Sequence, residues 1–139
     1  MAFLNGFAEE FNIMNIKYIE LKSGYGDDGP AWIGNVKESK SGRTLYFNDH
    51  AFQKHNGISG NYRDIESGEE YWISGVKKNG SDRHKAGKGP IIIDEKVVDE
   101  YLRITGKAEL DERCFIIEEI DDVFPIDRIR EILNKEKDI

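Results

Sequence analysis

The stretch AWIGNVKESKSGRTLYFN, residues 31–48, reads as two strands folded back on each other. Pro30 stands just before it, where a strand start tolerates a residue that has no N–H to give. Residues 31–38 and 43–48 are rich in branched and aromatic side chains, and Ser39-Lys40-Ser41-Gly42 between them has turn chemistry. Alternation along these strands directs Trp32, Val36, Leu45 and Phe47 inward.

Working outward, residues 16–22 (IKYIELK) form another strand candidate, ended by the glycine-rich turn 23–30. Residues 50–55 read as one helical turn and 56–60 as a loop. Residues 61–66 and 69–77 make a second hairpin around Ser67-Gly68, with Tyr71 and Ile73 on one face and Trp72 and Val76 on the other. Pro90-Ile91-Ile92-Ile93 suits a short buried strand. Asp94 follows as an N-cap, and Val97, Val98, Tyr101 and Leu102 give a helical stripe that stops at Gly106. Residues 114–120 (CFIIEEI) form a last strand. After it comes a helix with Pro125 in its first turn and Ile126, Ile129, Ile132 and Leu133 on one face. At the N-terminus, Phe3, Leu4, Phe7, Phe11 and Met14 fall on one stripe of a short helix.

Hairpins followed by strand–helix pairs imply an α+β fold with a central antiparallel sheet, curled or closed into a small open barrel. The spacing does not separate an SH3-like barrel from an open sheet. A chain of 139 residues suits a single domain. Its parts are an appendage (1–13), a core (14–106), and an acidic strand–helix extension (107–139).

Cys114 is the single cysteine, so an intrachain disulfide is excluded, and a zinc site needs at least three other ligands. No basic leader precedes Glu9 and Glu10, and no run approaches the ~18 apolar residues of a membrane span. These features point to a cytoplasmic protein with no membrane partner. The net charge of −7 is uneven: residues 1–90 are neutral, and the whole of it falls in residues 91–139. That third suits a basic protein partner or a solvated surface, and it repels nucleic acid.

The most distinctive stretch is GVKKNGSDRHKAGKG, residues 75–89, where Lys77, Lys78, Arg83, Lys85 and Lys88 face Asp82 alone among the acids. Glycines free its backbone to turn amides toward an anion, and the cations with His84 could complete a phosphate cradle. It has neither P-loop nor dinucleotide spacing, and the plain alternative is a solvated hairpin loop. Tyr46, Tyr62 and Tyr71, if outward, could stack bases beside it. Catalytic patterns are weak: Ser81, Asp82 and His84 are sequence neighbours without a nucleophile elbow. His50 and His55, with Asp49 nearby, read as polar surface more readily than as a metal site. Glu118, Glu119, Asp121 and Asp122 lack EF-hand spacing and read as an exposed acidic strand end, a candidate face for a partner.

The stretches GPAWIGNVKESKSGRTLYFN, ISGNYRDIESGEEYWISGVKKNGSDRH and GPIIIDEKVVDEYL resemble a family of short uncharacterised bacterial proteins, over about residues 17–106. Some members carry the label 1-deoxy-D-xylulose-5-phosphate synthase. An enzyme of that kind needs separate domains for cofactor and substrate, and its Gly-Asp-Gly motif with a downstream Asn is represented here only by Gly26-Asp27-Asp28-Gly29 in a turn. The resemblance therefore implies no cofactor and no catalytic residue. The sequence points first to a non-enzymatic protein-binding module, immunity-like by analogy, and second to a binder of nucleic acid or a phosphorylated ligand through the basic loop. A hydrolase or transferase around His84 and Asp82 ranks last.

Overall fold

The computed structural model describes residues 14–83, 87 and 89–137. The N-terminal stripe before Met14 and three proposed site residues, His84, Lys85 and Lys88, lie outside that set. Nine strands form one sheet: β1 (Ile16–Leu21), β2 (Ala31–Asn35), β3 (Lys37–Glu38), β4 (Thr44–Phe47), β5 (His50–Lys54), β6 (Tyr62–Asp64), β7 (Glu70–Gly75), β8 (Ile91–Asp94) and β9 (Phe115–Glu118). A 3₁₀ turn at Glu95–Val97 leads into helix α1 (Val98–Thr105), and helix α2 (Ile126–Lys137) follows β9. The strand order is β3-β4-β5-β6-β7-β1-β2-β8-β9. None of the helices described is long and apolar enough to cross a membrane.

The α+β class and the curled sheet agree with the sequence, but two refinements do not. The sheet is mixed, because β8 runs parallel to β2 and β9 parallel to β8. It also curls into a half-barrel with two free ends, which is not an SH3-like barrel.

The reason for the curl lies in the opening stretch. Its first strand is broken at Val36: β2 pairs with β1 in mid-sheet, whereas β3 pairs with β4 at the far edge (Lys37↔Tyr46, Glu38↔Leu45). Five strands separate β2 from β3 in sheet order, yet one residue joins them in the chain. The sheet can satisfy both only by bending round on itself. Gly34 permits the approach: a Cβ there would lie 2.3 Å from Phe47 Cε1 of β4.

The concave side holds Ile19, Val36, Leu45, Phe47, Phe52, Tyr71, Ile73 and Ile120, with Trp32 and Ile92 partly buried against them. All four residues expected inward from the opening hairpin are in this cluster. The convex side is covered twice. Helix α1 brings Val97 and Tyr101 onto Tyr18, Ile33, Ile91 and Ile93, and α2 brings Ile129 onto Tyr46, Ala51 and Ile65. Thus β4 is buried on both faces, and Tyr46 faces α2 rather than solvent.

Two local readings change. Residues 50–55 are mostly strand β5, because Asn48 (φ 48°) and Asp49 (φ 61°) both adopt the left-handed conformation that a two-residue hairpin turn demands, pairing Phe47 with His50. Tyr71 is also buried, with its ring edge-on to Phe52 at 4.7 Å. Burial pushes its phenol up to about 12. It is a core residue, unavailable for stacking on a ligand.

Beyond β9 the chain becomes a strap across the opening of the half-barrel. Ile120 enters the concave core and its carbonyl accepts from Lys96 Nζ, while Val123 O accepts from Asp49 N at 3.0 Å. Arg128 of α2 then holds Glu66 (2.8 Å) and the carbonyl of Asp49 (3.1 Å). Capping follows the sequence: Asp94 accepts from Lys96 N at 3.2 Å, and Gly106 ends α1 at φ 69°.

The close approach at Gly34 has a measurable consequence. Gly34→Ala should destabilise the protein by about 1–3 kcal/mol through overpacking against Phe47. Phe47→Leu in that background should recover part of the loss, giving a coupling above about 0.5 kcal/mol in a urea-melt cycle.

A second expectation concerns Asp64, which is buried and accepts from His50 Nδ1 (2.9 Å), Glu66 N (2.9 Å) and Ser67 N (3.3 Å). Burial opposes its charge, but the bonds from His50 and the two amides outweigh burial and hold its carboxyl below 3.8. The same bond raises His50 above 6.5, against partial desolvation. His50 therefore stabilises the fold fully below its ordinary value and loses that contribution as pH rises through its raised one. The Asp64 contribution is present above 3.8 and is lost as pH falls through its lowered one. Melting temperature should fall as pH is raised above 6.5 through the raised His50 value, and that part of the slope should vanish in His50→Gln.

Candidate functional site

The basic loop leaves β7 at Gly75 and returns to β8 at Ile91. Its first half closes on itself. Gly80, at φ 74°, donates to Lys77 O (3.0 Å), Ser81 N donates to Asn79 Oδ1 (2.9 Å), and Lys77 N donates to Asp82 Oδ1 (2.7 Å). The acid in this cationic stretch is thus what folds the turn. Arg83 is committed as well: its guanidinium donates to the carbonyls of Asp27 (3.1 Å) and Gly29 (3.0 Å), tying the loop to the turn after β1. Lys77 and Lys78 stay exposed.

Between this loop and residues 107–115 opens a cleft of about 650 Å³, within the range of small-molecule sites. Ile91, Tyr101 and Phe115 supply its apolar part. Lys77, Arg83, Lys107 and Arg113 bring positive charge to the lining, and Glu109 and Asp111 negative. Arg113 is held by Asp111 (Nε to Oδ1, 3.2 Å), and exposed Cys114 stands beside it with Sγ 3.7 Å from Asp111 Oδ2. The Lys107 ammonium rests over Gly80, where a Cβ would lie 2.9 Å from Nζ.

Tyr101 is the unusual member. Its position on α1 aims it at the sheet, where its ring tilts against Phe115 at 5.6 Å and only 1% of the residue is exposed. Among the described residues neither its hydroxyl nor Asp82 Oδ2 has a well-formed hydrogen-bond partner. The two groups face each other closely enough to perturb one another. Burial, then the Asp82 charge, pushes the phenol well above its ordinary value. Burial also raises the Asp82 carboxyl, against the pull of the Lys77 amide and charge, Tyr101 and Lys107.

Beneath the same loop runs a buried polar row that sequence reading missed. Tyr18 and Glu20 are alternate residues of β1 on its convex face, and Lys22 follows just after the strand in the same alternation. The Tyr18 hydroxyl donates to Glu20, and Lys22 Nζ lies 2.7 Å from Glu20 Oε2 and 3.1 Å from Asp27 Oδ1. Glu20 is 1% exposed. Burial and then the Glu20 bond drive the Tyr18 phenol far up; Arg83 pulls it back and Asp82 adds to the rise, so both loop residues reach this row. The signal was there in IKYIELK, whose polar positions recur every second residue on a strand that α1 covers.

The other proposed residues lie elsewhere. Tyr62 is half-buried against the concave cluster, far in sheet order from the cleft, and Tyr71 is inside that cluster. Glu118, Glu119, Asp121 and Asp122 are exposed at the end of β9 and on the strap, where Asp122 comes within 4.0 Å of Lys96. No three His, Cys, Asp or Glu converge as metal ligands among the described residues. Comparison with protein-family models, with curated proteins and with solved structures finds no match for this chain, so the chemistry of the cleft is argued from its own residues.

Proposed function

We propose that this protein is a non-enzymatic binding module whose cleft takes a small phosphorylated ligand. The observation that carries the reading is the Tyr101 hydroxyl, buried at the cleft with no well-formed hydrogen bond to a described residue. Leaving a buried donor unsatisfied costs about 1–3 kcal/mol, and a ligand oxygen that accepts from it returns that free energy on binding. Exposed Lys77 and Lys107 stand at the same cleft to meet the charge. A small ligand suits the site better than a nucleic-acid strand. Tyr46 and Tyr71, two of the three tyrosines needed as stacking platforms, are core residues, and Glu109 and Asp111 share the lining.

The second reading, a protein-binding module, draws support from a different surface. Glu118, Glu119, Asp121 and Asp122 are exposed in one stretch together with Val123, where a basic partner would find charge and apolar area together.

Titration calorimetry with inorganic phosphate, pyrophosphate, a sugar phosphate and a nucleoside monophosphate tests the first reading. At least one should bind, with affinity that falls as salt rises. Lys107→Glu should weaken it, and Tyr101→Phe should weaken it about tenfold, equivalent to about 1.4 kcal/mol. Because the hydroxyl makes no well-formed hydrogen bond to a described residue, Tyr101→Phe should melt no lower than wild type. Unchanged affinity in Tyr101→Phe, or a clear drop in its melting temperature, would overturn the assignment.

A further inference from the structure

The two ends of the sheet are built differently. At one end β3 is two charged residues long, Lys37–Glu38, the form in which an exposed edge resists pairing with another chain. At the other, β9 presents Phe115-Ile116-Ile117-Glu118, with Ile116 45% and Ile117 54% exposed. Its inner side is occupied. Ile91 donates to Cys114 O at 2.8 Å, and the parallel register Ile91↔Phe115 through Asp94↔Glu118 turns the amides and carbonyls of residues 116 and 118 toward β8, while the amides of Cys114 and Phe115 donate to Asp111 O at 2.9 and 3.1 Å. The Phe115 carbonyl and both the amide and carbonyl of Ile117 therefore point away from the sheet, and no described strand pairs with them.

We infer that β9 is an interaction surface for a second copy of this chain, pairing antiparallel with the partner's β9 across a two-fold axis at Ile116. The sequence around β9 is self-complementary in that arrangement. Within the strand, residues whose numbers sum to a fixed value face each other, and centring the apolar triplet on itself sets Ile116 against Ile116 and Phe115 against Ile117, with Arg113, in the turn that enters β9, at the end where Glu119 leaves the other copy's strand. The outward Ile117 amide of each copy then donates to the Phe115 carbonyl of the other, while the Phe115 amide keeps its bond to Asp111 O. The dyad falls on a non-hydrogen-bonded pair, where side chains come closest. The charges agree: Arg113 precedes the triplet, and Glu118 and Glu119 follow it, so antiparallel pairing brings opposite charges together at both ends whereas parallel pairing would stack like on like. Arg113 is free to turn, because its bond to Asp111 is an exposed ion pair with 90% of the arginine side chain in solvent, and such pairs contribute little. A two-fold contact of this kind is closed and stops at the dimer. It shares Arg113 and Phe115 with the lining of the cleft, and sedimentation without ligand reads it apart from what the cleft holds.

Sedimentation of the full chain from low micromolar to submillimolar concentration tests the state, and three sets of variants test the register. The wild type should be a monomer–dimer equilibrium. Ile117→Pro removes an outward amide and no bond to β8, so it should be monomeric with the fold intact, as judged by its melting temperature. Arg113→Glu and Glu119→Arg should each weaken dimerisation about tenfold or more, a loss of at least about 1.4 kcal/mol, and the double swap should restore it. With Cys114→Ser as background, Ile116→Cys places two thiols at the dyad with Cα atoms about 4.5 Å apart, within disulfide range; mild oxidation should give a covalent dimer far faster than with Ile117→Cys. A monomer throughout, a concentration-dependent series larger than the dimer, dimerisation by Ile117→Pro, a double swap without rescue, or equal cross-linking at 116 and 117 would each overturn the inference.

Discussion

Val36 is the constraint on which the architecture depends. It joins β2, in the middle of the sheet, to β3 at its edge, so the strands between them have to bend through the arc that brings those two together. Right-handed strand twist supplies part of this curvature in any sheet, and Gly34 supplies the clearance that lets Phe47 settle against β2. The bend creates an inside, filled by Val36 itself with Leu45, Phe47, Phe52 and Ile73, and an outside that two amphipathic helices must cover. The parallel strands β8 and β9 carry the sheet past the bend, and the chain then crosses the opening to lodge Ile120 in the concave core.

The site follows from this division. The convex face near β1, β2 and β8 is where α1 packs, and α1 contributes Tyr101 from its buried stripe. On the same face β1 places Tyr18 and Glu20, polar groups that would be solvated on an uncovered sheet. Burying them is costly unless they are bonded, and most of the row is: Tyr18 to Glu20, Glu20 to Lys22, Lys22 to Asp27. Arg83 performs a similar office for the loop by satisfying carbonyls of the opposite turn. Four buried polar atoms of this region lack a well-formed hydrogen-bond partner among the described residues: the Tyr101 hydroxyl, Asp82 Oδ2, Arg83 Nε and Glu20 Oε2, the last held only by its ion pair with Lys22. They concentrate beside the cleft, where stability is given up locally.

Much of the fold was legible because local chemistry decided it. Gly42 and Gly68 adopt positive φ at hairpin turns, Asp94 caps, Gly106 terminates, and alternation pointed Trp32, Val36, Leu45 and Phe47 to the inside. What escaped was non-local. Nothing in residues 31–38 announces a break at Val36, since both halves are good strand sequence and only their partners differ. The parallel placement of β8 and β9 depends on the crossover through α1 and on the loop before β9. The faces of Tyr46 and Tyr71 escaped as well: β4 is buried on both faces, with α2 over Tyr46, whereas Tyr71 lies on the concave face of β7, whose other face stays open at Trp72. Around the cleft, charge drew attention to a loop that does border it, but also to an arginine that is already engaged. Composition counts Arg83 as a free cation, whereas its three-dimensional neighbours are carbonyls. The residues that matter most, Tyr101, Tyr18 and Glu20, looked like ordinary members of a helix and a strand.

The uneven charge also takes on a physical meaning. The neutral part of the chain forms the curl, and the acidic part extends it, wraps it and closes it. Glu118, Glu119, Asp121 and Asp122 repel one another along the very segment that bridges the opening, while Lys96 is the cation placed near it, through Asp122 and the Ile120 carbonyl. What holds the strap is therefore the buried Ile120 side chain, the Asp49–Val123 backbone bond and the docking of α2 through Ile129 and Arg128. The apolar anchors oppose a repulsion that salt screens. The strap and β9 share one continuous stretch, so any contact that orders the exposed side of β9 also restrains the N-terminal end of the strap. The free edge and the closure of the barrel are in this way one mechanical unit, joined at residues 118–120.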